Sequence, residues 1–105
     1  MFAQGIELGD FPLGTWLDAK YNAYWELSSD NIKITNGAGK VYYDFSQKTV
    51  QDFKVSAEAE GIVMTFYCVE SEKHYKLTKP LTDFNLILDI DPPWKVHYRT
   101  MMEMQ

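Results

Sequence analysis

The sequence is poor in several features that commonly carry function. One of its 105 residues is cysteine, Cys68, so no disulfide can form within the chain. Arginine also occurs once, at Arg99, among ten basic residues set against fifteen acidic ones, for a net charge of −5. Binding to phosphates needs a basic stripe, so nucleic acid and anionic membrane surfaces are poor partners for this chain. No hydrophobic run approaches the length of a membrane-crossing helix. There is no glycine-rich phosphate loop, because Gly37 and Gly39 sit in a hairpin signal with no helix after it. Linkers, internal repeats, low-complexity segments and sustained helical periodicity are all missing. The length fits one domain over residues 1–105, large enough for a single core but with little stability to spare.

Aromatic residues are plentiful. They make up 15% of a chain that is 46% hydrophobic, a composition that favours strands. After an irregular lead-in over residues 1–10, alternation of apolar and polar positions predicts strands over 15–20, 23–27, 32–35 and 40–45, then 50–60, 62–69, 74–79, 84–90 and 94–100. Residues 101–105 read as a tail. Short turn clusters separate the strands; Asn36-Gly37 is the strongest, since both residues tolerate positive φ. In 50–60, Phe53, Val55, Ala57 and Ala59 alternate with polar residues, which is a strand period despite the helix-favouring alanines and glutamates. Asp91-Pro92-Pro93 forms a rigid turn before the last strand. Many short strands joined by hairpins predict an all-β fold, a small antiparallel up-and-down meander of about eight or nine strands that closes into a barrel to remove its edges.

Residues with chemical potential are scattered. Cys68 and either His74 or His97 would be the candidate nucleophile pair, but Cys68 lies in the most apolar strand, where free cysteine behaves as a small hydrophobe. Two histidines on separate strands make no metal site. Asp83, Asp89 and Asp91 are close enough in sequence to consider for a hard cation, yet read as turn formers and strand-end charges. The expectation is therefore no enzyme, no catalytic residue, no metal and no cofactor. The aromatic set is the better lead. Inward Trp25, Tyr43, Phe53, Phe66, Tyr75 and Leu86 would line a pocket for a small apolar ligand, or would merely fill the barrel. Outward Tyr24, Tyr42 and Tyr67 would instead form a protein-binding face or a homodimer interface.

Gly14-Thr15-Trp16 on the first strand and Arg99 on the last resemble the signature of lipocalins and their calycin relatives. The resemblance implies a barrel whose floor is crossed by Trp16, with Arg99 stacked on it as a cation–π pair and Gly14 avoiding a crowded Cβ. Gly14, Trp16 and Arg99 are thus the expected closure residues. The chain is shorter than a typical lipocalin, leaves no room for the helix that follows the barrel there, and lacks the second and third lipocalin motifs. In fatty-acid-binding proteins an Arg-x-Tyr pair points inward from the last strand; here Tyr98 and Arg99 are adjacent and face opposite sides. The resemblance implies a non-catalytic carrier of a small hydrophobic ligand. The alternative is a protein-interaction module with a packed interior, either an inhibitor of a secreted enzyme or a dimer. Phe2-Ala3-Gln4 resembles the remnant of a signal-cleavage site, which implies a periplasmic or secreted protein.

Overall fold

A computed structural model describes residues 6–92 and 96–105. Nine strands follow one another: β1 (Gly14–Asp18), β2 (Ala23–Ser28), β3 (Asn31–Thr35), β4 (Val41–Asp44), β5 (Val50–Glu58), β6 (Gly61–Cys68), β7 (Lys73–Pro80), β8 (Leu86–Asp91) and β9 (Tyr98–Met104). They form one antiparallel sheet in the order β4-β3-β2-β1-β9-β8-β7-β6-β5. Each strand pairs with its neighbour in sequence, as a meander requires, except at one step. β4 and β5 are joined by a single 3-10 turn, Phe45–Gln47, and form the two edges of the sheet. The first and last strands meet in the middle. The sheet curls into a half-barrel, the small all-β meander expected from the alternation.

The curl is visible in the side chains that meet across it. The Trp25 ring on β2 lies 6.0 Å from the Tyr75 ring on β7, and Phe45, beyond β4, lies 5.2 Å from Phe66 on β6. Alternation sets these positions. On β2, Ala23, Trp25 and Leu27 are buried while Glu26 and Ser28 are exposed. On β6, Met64, Phe66 and Cys68 point into the core. The hairpin between β5 and β6 turns on Gly61, whose φ of +140° is unsuited to a side chain. A Cβ there would also collide with the Lys79 carbonyl oxygen of β7.

Three boundaries differ from the sequence reading. The last strand begins at Tyr98 and runs through the residues expected to be a tail. Leu86 pairs with Met102 and Ile87 with Met101 on the β8 side, while Trp16 pairs with Met104 and Leu17 with Glu103 on the β1 side. Met102 is fully buried, which is why the tail is drawn into the sheet. Trp94 and Lys95, expected to open this strand, lie outside the described residues. The lead-in also belongs to the core. Ile6, Leu8 and Phe11 are buried, and the Leu8 amide donates to the Ser29 carbonyl at 3.0 Å. Phe2, Ala3 and Gln4 lie outside the described residues. Finally, β8 begins at Leu86, and Phe84 is 73% exposed in the preceding loop.

Candidate functional site

At one end of the half-barrel a cleft of about 500 Å³ opens between β1, β2, β3, β8 and β9. Its apolar wall is made by Trp25, Ile34, Leu88 and Ile90, with Tyr98 beside them. The elements dictate this set. Trp25 and Ile34 are cross-strand partners on the inner face of β2 and β3. Ile90 and Tyr98 are partners on β8 and β9. Asp18, the last residue of β1, shares the inner face with Trp16, two positions earlier. It is 3% exposed, a carboxylate in the wall of an apolar cleft.

Asp18 is held by hydrogen bonds. The Tyr98 hydroxyl donates to both of its oxygens, at 3.0 Å to Oδ1 and 2.9 Å to Oδ2. The Lys20 amide donates to Oδ1 at 3.1 Å. Burial raises the Tyr98 phenol to about 12, and the hydrogen bond to Asp18 and its charge push in the same direction. The Tyr21 ring tilts against Tyr98 at 5.4 Å. The Lys20 ammonium sits over both rings, 5.3 Å from the Tyr98 centroid and 5.6 Å from that of Tyr21. None of Asp18, Lys20, Tyr21 and Tyr98 was singled out as a ligand contact from the sequence. The signal was present: an aspartate on the apolar face of a strand breaks the alternation.

Of the residues expected to line a pocket, Trp25 does line this cleft. Tyr43, Phe53, Phe66 and Tyr75 are instead packed on one another around Phe45. Phe45 lies 5.0 Å from Tyr43 and 5.2 Å from Tyr75, and Phe66 stacks on Tyr75 at 5.0 Å and on Phe53 at 5.8 Å. Aromatic pairs at these spacings fill the space between the strands. Leu86 is fully buried in the same core as Met102, its partner on β9.

The closure residues separate. Trp16 is buried, and its indole Nε1 donates to the Phe84 carbonyl at 2.9 Å. Arg99 does not reach it. Tyr98 points inward, so by alternation Arg99 points out, 62% exposed, where Nη1 lies 3.1 Å from Asp89 Oδ1. β9 meets β1 at Glu103 and Met104, at the opposite end of the strand from Arg99. Gly14 has φ +145°, and a Cβ there would meet the Trp16 ring at an ordinary 3.5 Å. Its backbone angle, rather than crowding, calls for glycine.

A second groove, of about 370 Å³, runs over β5–β9, and Phe66 and Tyr75 are among the residues that line it. Asp89 is buried there beneath Arg99 and His97, whose Nε2 lies 2.8 Å from Oδ1. Asp91 is 3.8 Å from His97 Nδ1. Asp83 accepts the Asn85 amide at 3.0 Å, as a turn former does. Cys68 faces inward, 3.4 Å from the Tyr43 hydroxyl, while His74 stacks on Tyr67 on the outer face, so the two cannot act as a pair. Among the described residues no group of His, Cys, Asp and Glu could hold a metal ion, and no helix is long and apolar enough to cross a membrane. Of the outward tyrosines, Tyr24 and Tyr42 lie on β2 and β4 and Tyr67 on β6, in opposite halves of the sheet.

The chain matches no protein-family model, no curated protein and no solved structure.

Proposed function

We propose that the protein binds a small hydrophobic molecule in the cleft at the open end of its half-barrel, acting as a lipocalin-like carrier or sensor rather than as a catalyst. The observation that carries this reading is the cleft itself, about 500 Å³ in volume and walled by Trp25, Ile34, Leu88 and Ile90. Pockets of this size and lining take drug-sized apolar ligands. The aromatic packing around Phe45 confines the ligand to the mouth and leaves no through-channel for it. The expected lining of Tyr43, Phe53, Phe66 and Tyr75 then serves as the floor beneath the ligand. Support for the lipocalin likeness comes from Gly14-x-Trp16 on a first strand that pairs with the last.

The test is titration with Nile red, a neutral apolar dye, followed by its emission. Saturable binding at one dye per chain is expected, and Ile90→Trp, which fills the cleft, should abolish it while the melting temperature stays close to the parent's. A parent protein that takes up no dye would overturn the reading.

A second reading, a protein-interaction module, is favoured by one observation. Val41 and Tyr42 are 48% and 49% exposed on β4, an edge strand. Edges of this kind accept another strand. Sedimentation at increasing concentration tests it, since a dimer formed through this edge should shift the sedimentation coefficient upward.

A further inference from the structure

Asp18 is a buried carboxylate in the lining of the cleft, and the hydrophobic-ligand reading does not use its chemistry. A buried carboxylate is costly unless it is paired with a cation. Among the described residues no ion pair reaches Asp18. Its donors are a phenol and a backbone amide, both neutral. A carboxylate offers about four acceptor positions, and among the described residues Oδ2 receives the Tyr98 hydroxyl alone. Beside it stand the tilted rings of Tyr21 and Tyr98, already covered by an ammonium, that of Lys20. The aromatic pair therefore holds a cation as the molecule stands. Lys20 is exposed and its stem is flexible, so its head can turn out to water when a better-placed cation arrives.

From this geometry we infer that the cleft selects organic ammonium compounds: a primary amine on an apolar chain, with the chain against Trp25, Ile34 and Ile90 and the ammonium on Asp18 beside the tyrosine rings. The inference rests on the proposed hydrophobic-ligand reading and narrows it. Among the described residues, two groups besides Lys20 at the mouth bear positive charge or can acquire it, Lys73 and His97. Lys73 is only partly buried and His97 is exposed and already engaged by Asp89 on the outer face. Both line the cleft, but neither is buried in it as Asp18 is. The fixed, buried charge of the cleft is negative, and it discriminates against a carboxylate ligand.

The experiment compares three ligands of equal chain length, octylammonium, octanol and octanoate, by calorimetry on the intact protein. Octylammonium should bind about tenfold tighter than octanol, the worth of one charged hydrogen bond, and octanoate should bind most weakly. Asp18→Asn should bring the ratio of octylammonium to octanol affinity close to unity. Tyr98→Phe, which keeps the carboxylate and removes its phenolic donor, should retain the preference. Lys20→Met should strengthen octylammonium binding by removing the resident cation. If octanol binds but the ammonium gains nothing, or Asp18→Asn keeps the preference, or Tyr98→Phe loses it, this inference is wrong and the hydrophobic cleft survives. If none of the three ligands binds, both readings fall. Should Asp18→Asn fail to fold, the ranking of the three ligands on the parent protein decides the matter alone.

Discussion

Two residues that the lipocalin resemblance pairs, Trp16 and Arg99, have unrelated roles. Trp16 is buried and its indole hydrogen is used by the Phe84 carbonyl. Trp16→Ala should therefore cost roughly 3–5 kcal/mol, as large aromatic truncations in a core do. Arg99 is a surface partner of Asp89, so Arg99→Lys should cost less than about 1 kcal/mol. Denaturant unfolding of both variants checks the contrast; a large loss for Arg99→Lys would bring back the stacked pair. Tyr98 gives a pH effect with a definite sign. Its phenol titrates near 10.0 in the unfolded chain and about 12 in the folded one. Between those values the unfolded chain has released the proton and the folded chain has not. Stability is complete below pH 10.0 and falls as pH rises toward 12. Tyr75, also raised to about 12 by burial, acts in the same direction. Tyr98→Phe should flatten part of that alkaline decline in melting temperature. If the decline is as steep as in the parent, the Tyr98 phenol is not raised by its burial beside Asp18 in solution.

At the scale of elements, what was legible is what alternation controls. β2, β3, β6 and β7 stand within a residue or two of their expected limits because each keeps an apolar inner row. β9 was misplaced, because Met101-Met102-Glu103-Met104 has no clean alternation and a terminal segment carries no turn signal after it. Its position is decided by pairing on both sides, which no local pattern encodes. The site was legible only in part for the same reason. Trp25 could be assigned to the inner face from its own strand. The contact between Asp18 and Tyr98 joins residues at the two ends of the sheet's sequence and needs the β1–β9 junction to exist. That junction is testable. A chain ending at Thr100 loses Met102 from the core and every β1–β9 partner. It should lose cooperative thermal unfolding by circular dichroism. A truncated chain that melts near the parent's temperature would mean that residues 101–105 are the tail their sequence suggested.

At the scale of the whole molecule, the sheet has one seam, between β4 and β5, and side chains hold it in place of a strand ladder. The Tyr43 hydroxyl on β4 lies 3.4 Å from Cys68 Sγ on β6. Burial and the contact with Cys68 push the Tyr43 phenol up from its ordinary range. Phe45 is fully buried among Trp25, Phe66 and Tyr75. Below it, Thr49 ties the turn to Glu70, with its amide at 2.7 Å from Oε1 and its hydroxyl at 2.8 Å from Oε2. Backbone groups at a sheet edge lack the second ladder that protects a central strand, and such elements open at a fraction of the global unfolding free energy. β4 is also the shortest strand. Hydrogen exchange followed by mass spectrometry should therefore find the amides of β4 exchanging fastest among the nine strands and those of β6 and β7 slowest. Tyr43→Phe should speed exchange in β4 without changing β8 or β9. The opposite pattern, β4 as protected as β6 and more so as protein concentration rises, would mean that the seam is covered by a second copy. It would then favour the interaction reading over the carrier.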